Sequence, residues 1–189
     1  MVADSNIHKA ALILKEGGII AYPTESCYGF GCLPDNTAGI ERILAIKNRS
    51  WQKGLILVAD ELTAFSNYIL PLAQIEASAL KRAEASWPGP FTWLFPINAA
   101  CSPLLKGSFD TLAVRLSAHK MVRKLSEACS SAIVSTSANK QGQPAMVSYD
   151  QVMTEFNDQL DYVLEGDIGG DTTASEIRDL LTQQLIRGA

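Results

Sequence analysis

The sequence is short of the residues that build most metal and covalent sites. Its 189 residues include four cysteines and two histidines. Cys27, Cys32, Cys101 and Cys129 form no C-x-x-C pair, and with only His8 and His119 beside them a Cys/His zinc site is not expected. The thiols read instead as buried and reduced. Charge is sparse: 19% of residues are Asp, Glu, Lys or Arg, and the net charge is −4. A general nucleic-acid coat protein would be basic, so that class is disfavoured. No apolar run approaches the roughly 20 residues that cross a bilayer, so no membrane association is expected. The N-terminal Met-Val-Ala-Asp-Ser-Asn is polar and shows no basic region followed by an apolar one, which makes the cytoplasm the expected compartment. G-x-x-x-x-G-K-[ST] and H-E-x-x-H are absent, and Gly29-Phe30-Gly31 lacks the third glycine of a dinucleotide fingerprint. Repeats, linkers and low-complexity stretches are missing too, so one domain over residues 1–189 is expected.

What is present is ordinary globular material, 47% hydrophobic. Ile7, Ala10, Ala11 and Leu14 share a helical face, with Asp4 and Ser5 as caps and Gly17-Gly18 as the stop. Residues 18–22 read as a buried strand. Asn36 is placed to cap a second helix whose Ile40, Ile43, Leu44 and Lys47 share a face. Strands follow at 55–59, 91–95, 111–116 and 132–136, with helices at 72–86, 119–129 and 148–156. Short strands are expected at 161–166, 175–180 and 184–187. Strands mixed with helices predict an α/β (α+β) domain with a mixed, twisted sheet.

Four stretches carry more chemistry than their positions require, besides the loop Tyr-Pro-Thr-Glu-Ser-Cys-Tyr-Gly-Phe-Gly-Cys at 22–32. Lys47-Asn48-Arg49-Ser50-Trp51-Gln52-Lys53-Gly54 holds three cations and no acid, either a solvated helix end or a clamp for a polyphosphate. Trp87-Pro88-Gly89-Pro90-Phe91-Thr92 makes a stiff turn that opens a strand on a hydroxyl. Arg115 interrupts the apolar run Ala113-Val114-Arg115-Leu116, and a half-buried arginine needs an anion, whether a protein carboxylate or a ligand's. Ser135-Thr136-Ser137-Ala138-Asn139 places hydroxyls and an amide directly after the apolar Ala-Ile-Val. Nothing in the spacing supports a Cys27–His119 nucleophile pair.

Taken in order, Pro23-Thr24-x3-Tyr28-Gly29-x-Gly31, Lys47-x-Arg49-x3-Lys53, Pro88-Gly89-Pro90-x-Thr92, Val114-Arg115 and Ser135-Thr136-Ser137-Ala138-Asn139 resemble the YrdC/Sua5 family, the threonylcarbamoyl-AMP synthases. The resemblance runs from about residue 7 to the C-terminus and is to the short, single-domain bacterial form. It implies a YrdC-like sheet around a large, locally positive cavity. The implied reaction makes threonylcarbamoyl-adenylate and pyrophosphate from L-threonine, bicarbonate and ATP with Mg²⁺, and no protein-bound metal. Partner proteins of the tRNA threonylcarbamoyl-transfer complex would then modify adenosine 37 of tRNAs reading codons that begin with A. The resemblance assigns Thr24, Tyr28, Arg115, Ser135 and Thr136 to threonine. It gives Lys47, Arg49 and Lys53 to the phosphates and to catalysis, and Thr92, Ser137, Asn139, Ser175, Arg178 and Arg187 to the nucleotide. The chain departs from the family at Glu25-Ser26-Cys27, where Asp-Thr-Val is commoner, and at Lys53-Gly54. It also lacks the prolines flanking His119 and varies at Thr173-Ala174-Ser175-Glu176-Ile177-Arg178. The rival reading is a double-stranded-RNA or tRNA-binding module without its own catalysis. The clustered cations and negative net charge leave only weak RNA binding expected.

Overall fold

The computed structural model describes residues 2–171 and 173–188. The nine strands among these residues form one mixed sheet in the order β7-β1-β2-β6-β3-β5-β4-β8-β9. In chain order these are β1 (Ile20–Pro23), β2 (Tyr28–Gly31), β3 (Ile56–Ala59), β4 (Phe91–Pro96), β5 (Thr111–Leu116), β6 (Ile133–Ser137), β7 (Tyr162–Val163), β8 (Glu176–Asp179) and β9 (Leu185–Arg187). Strand β3 runs parallel to β5 and antiparallel to β6, while β4 pairs antiparallel with β5 and parallel with β8. The expected α/β architecture is therefore observed.

Helices cover both faces. α1 (Val2–Lys15) and α5 (Lys120–Cys129) pack Ile7, Ala10, Ala11 and Leu14 with Val122, Leu125 and Cys129 over Ile20, Tyr22, Val58 and Ile133. On the other face, α2 (Thr37–Lys47), α3 (Ala77–Ser86) and α6 (Tyr149–Phe156) enclose the larger core around Phe30, Leu57, Leu112, Val114 and Val134. Alternation of side chains along each strand produces this division, because neighbours in sequence point to opposite faces. α1 and α5 cover only part of their face. Ile56, Ala113 and Ser135 lie side by side in register on β3, β5 and β6. They are the floor over which the cavity forms.

Local sequence explains most boundaries. Asn36 caps α2 as expected, its side chain accepting from Gly39 N at 2.9 Å, and Gly17 ends the turn after α1 at φ 89°. Three expectations need correction. Asp4 and Ser5 lie inside α1, which already begins at Val2. The helix expected from 72 is a 3-10 turn at Leu72–Gln74 followed by extended Ile75, so α3 starts only at Ala77. The stretch 28–31, read as part of a loop, is strand β2, hairpin-paired with β1. Its Gly31 permits the pairing: a Cβ there would sit 2.6 Å from Val134 O and 2.7 Å from the Tyr22 ring.

Candidate active site

A cavity of about 330 Å³ opens over that floor. Its central wall comes from β2, β3, β5 and β6, which supply Gly29, Ile56, Arg115, Ser135 and Ser137 among others. One end is rich in hydroxyls. Pro23 closes β1, and the chain reverses through a tight turn in which Thr24 donates to Cys27 O through both its N–H, at 2.9 Å, and its hydroxyl, at 2.7 Å. That turn delivers Thr24, Ser26 and Cys27 to the cavity opposite Ser135 and Thr136. Arg115 reaches the same end from β5, and its Nη2 lies 3.1 Å from Glu25 Oε2. Of the two alternatives for this arginine, the protein carboxylate is the one observed, and the residue also lines the cavity.

The other end is cationic. α2 terminates at Asn48 in the left-handed conformation (φ 49°, ψ 47°), which turns Arg49 into the cavity. Arg49 Nη2 donates to Gly54 O at 2.9 Å, and Lys53 Nζ donates to Gln141 Oε1 at 3.1 Å. A second short helix, α4 (Pro103–Lys106), brings Lys106 alongside them. Ser102 caps this helix, Pro103 begins it, and Gly107 ends it at φ 69°, ψ −141°. Gly107 lies directly against the backbone of 52–54, and Leu55 N donates to Leu105 O at 2.8 Å, so the two lysine-bearing loops are locked together. Arg187 approaches from β9. Arg187 is exposed as a residue, but its guanidinium donates to Ser175 O at 2.7 Å. Partial desolvation there, with Arg115 and Arg49 nearby, holds it below the ordinary arginine range, and burial does the same to Arg49. Five cations line this cavity, and among the described residues no Asp or Glu does. In a chain of net charge −4, such a concentration calls for an anion with several charges.

Several residues assigned from the resemblance stand beside the cavity. Tyr28 is buried and supports it from behind, its hydroxyl donating to Gly166 O at 2.6 Å and accepting from Gly166 N at 3.2 Å. Thr92 is buried too, with its hydroxyl 2.8 Å from that of Ser175, which does line the cavity. Lys47 is withdrawn: its ammonium is surrounded by Ser137 O, Asn139 O at 3.0 Å and Asn139 Oδ1 at 2.7 Å. Burial, and next the charge of Arg49, lower its pKa to about 8. An ammonium has three protons to donate, so Lys47 in this arrangement ties down the loop after β6. Asn139 is a member of that tie and also donates to Gln143 O at 2.6 Å. Arg178 does not line the cavity either. Along β8, Ser175 and Ile177 face the cavity, whereas Glu176 and Arg178 pair with each other on the opposite side.

Sequence reasoning missed three contributors. Lys106 sits on a four-residue helix, although Ser102-Pro103 and Gly107 were legible as its start and stop. Phe109 is half exposed at the cavity mouth, and Glu25 was noted only as a departure. The three cysteines other than Cys27 are buried as expected, and Cys27 is intermediate. Burial raises the Cys27 thiol above its usual pKa, the reverse of what an activated nucleophile needs.

The family model for Sua5, YciO and YrdC, described as "Telomere recombination", matches residues 12–189. The chain belongs to this family. Two curated members are similar over nearly their whole length. A protein of Nitrosococcus oceani named threonylcarbamoyl-AMP synthase is 46% identical over 96% of each chain. One of the same name from Vibrio vulnificus is 43% identical over 97% of this chain and 98% of its own. Among solved structures, P. abyssi Sua5 complexed with L-threonine superposes with a TM-score of 0.88 at 28% identity. That match covers 97% of this chain and 54% of the other, so the chain spans about half the length of that Sua5.

Proposed function

We propose that this Sua5/YrdC-family protein is a threonylcarbamoyl-AMP synthase, a nucleotidyltransferase that makes L-threonylcarbamoyladenylate and pyrophosphate from L-threonine, bicarbonate and ATP. The observation that carries the reading is one cavity, lined by no Asp or Glu among the described residues, that gathers the hydroxyls of Thr24, Ser135 and Thr136 with five cations, Arg115, Arg49, Lys53, Lys106 and Arg187. The names of the two curated relatives and the threonine bound by P. abyssi Sua5 support the same assignment.

Threonine binds at the hydroxyl end, its carboxylate on Arg115 and its polar atoms among Thr24, Ser135 and Thr136. The triphosphate lies along Arg49, Lys53 and Lys106. Ser175 and Arg187 close over the nucleoside, with Thr92 behind them. The cavity's donors are cations and hydroxyls, a set suited to phosphate and poorly suited to a bare metal ion. Mg²⁺ therefore enters as part of the MgATP substrate, keeping phosphate oxygens and water as its ligands.

The threonine amine adds to carbon dioxide derived from bicarbonate and loses a proton, giving a carbamate. A carbamate oxygen attacks the α-phosphorus, and the bond to pyrophosphate breaks. No side-chain base is needed at that second step, because the nucleophile is already an anion. What the protein supplies is alignment of two bound substrates and neutralisation of the departing charge. Transfer of the threonylcarbamoyl group to tRNA falls to partner proteins, and any contact with RNA is weak and salt-sensitive.

The test is pyrophosphate release by purified protein given MgATP, L-threonine and bicarbonate without RNA. Release that depends on threonine is the expected result. A folded sample that releases none, yet binds duplex RNA tightly at high salt, refutes the proposal in favour of the RNA-binding module.

A further inference from the structure

The buried pair of Glu25 and Arg115 does more than balance charge. Glu25 is 6% exposed and Arg115 9%. Oxygen Oε1 of Glu25 accepts from Ser117 Oγ at 2.7 Å and from Ala118 N at 3.1 Å, both just beyond Arg115 in the chain. Oxygen Oε2 faces Arg115 Nη2 at 3.1 Å. The backbone behind the carboxylate is fixed as well: Glu25 O accepts from Asp171 N at 3.0 Å, and Thr24 O accepts from Gly169 N at 2.9 Å. Burial alone would raise the Glu25 carboxyl, but Arg115 and Ser117 outweigh it and keep it below its ordinary value. The carboxylate is ionised, hydrogen-bonded at Oε1 and fixed through its main chain, while Oε2 is held to Arg115 by the ion pair alone and has no hydrogen-bond partner. Arg115 Nε is likewise buried and without an acceptor.

Resting on the proposed binding of threonine at Arg115, we infer that Glu25 is a positioning and specificity residue for the amino-acid end of the cavity. The ion pair at Nη2 sets the orientation of the guanidinium, and with it the direction in which the donors it turns to the cavity meet an α-carboxylate. It also cancels the charge of Arg115, so that the excess of positive charge resides with Arg49, Lys53, Lys106 and Arg187. A zwitterionic amino acid is then suited to one end and a polyphosphate to the other, and phosphate is discouraged from entering the threonine site.

Glu25→Gln tests this, since its amide keeps an acceptor for Ser117 and Ala118 but loses the charge. The threonine KM is expected to rise about tenfold or more, as for loss of a charge-assisted contact, while kcat and the ATP KM stay within about threefold. Inorganic phosphate should become a competitive inhibitor against threonine in the variant and not in the native protein. Ser117→Ala, which removes one support of Oε1, should raise the threonine KM by about threefold, and it decides the matter if Glu25→Gln does not fold. A threonine KM within twofold of native in the folded variants, with Arg115→Ala strongly impaired, overturns the inference alone. Equal losses for threonine and ATP with a lowered Tm mean a merely structural role and overturn it too. An unchanged threonine KM in Arg115→Ala overturns the threonine assignment, and the inference with it.

Discussion

Alanine at Gly107 would place a Cβ 2.4 Å from Gln52 O and 2.5 Å from Gly54 N, both main-chain atoms that cannot rotate aside. The backbone there, at φ 69° and ψ −141°, costs an L-residue about 1–3 kcal/mol. Relieving the overlap costs about 1–3 kcal/mol more. Moving the loops apart also sacrifices the bond from Ser108 N to Gln52 O, 3.0 Å long, which contributes about 1 kcal/mol. Gly107→Ala should therefore lose about 5 kcal/mol, or about 10–20 °C in Tm for a chain of this size. Gly142 supplies the control. Its φ is 83°, but a methyl added there would meet nothing within 4 Å, so alanine should cost about 1–2 kcal/mol. Because Gly107 holds the Lys53 and Lys106 loops together, its replacement should weaken ATP binding about tenfold and leave threonine affinity within about twofold. Urea unfolding and calorimetric titration measure both quantities. Equal destabilisation by the two alanines would refute the steric argument, and equal loss of both ligands would refute the separation of the two ends.

Lys53→Ala and Arg49→Ala should each weaken ATP binding more than AMP binding, because the proposed binding mode sets these cations against the outer phosphates; calorimetry with both nucleotides distinguishes this from a general loss. Lys47→Met should instead reduce affinity for ATP and AMP by similar factors, since it releases the Ser137–Asn139 loop, and a loss confined to ATP would restore Lys47 as a direct phosphate ligand. Glu25 has a folded pKa below its ordinary 4.5, so the unfolded chain takes up its proton first on acidification. Its contribution to stability is full above about pH 4.5 and is lost as pH falls through the folded value. Urea unfolding should show native stability declining there more steeply than that of Glu25→Gln, and parallel curves would contradict it.

The strands that bury both faces announced themselves as continuous apolar runs, which is why 55–59, 111–116 and 132–136 were legible within a residue of their bounds. Strand β2 was not, because Tyr-Gly-Phe-Gly offers two glycines and no alternation of apolar with polar residues. Its strand conformation comes from pairing with β1 and β6, which is a tertiary fact. The same distinction runs through the site. Arg115 was conspicuous as a charge inside an apolar strand, and the lysines and arginine of 47–53 as a run without acids. The identity of the partner of Arg115 depended on a hairpin turn meeting the end of β5 across some ninety positions of sequence, at separations given by Glu25 and Ser117. No local pattern encodes that meeting. Nor could the run of cations say which of them points inward, and helix termination at Asn48 sends Lys47 and Arg49 to different tasks.

The two ends of the cavity also differ in how firmly the sheet holds them. Gly29, Arg115 and Ser135 stand on strands flanked on both sides. Arg187 and Ile186 belong to β9, an edge strand of three residues that pairs, among the described residues, only with β8 and is exposed along its length. Fraying of such an edge requires far less free energy than global unfolding. Amide protons of β9 should accordingly exchange through local opening while those of β5 and β6 await a much rarer event. A bound nucleotide touching Arg187 would slow exchange at this edge, and threonine alone would leave it untouched. Exchange at the edge would thus report which end of the cavity is filled.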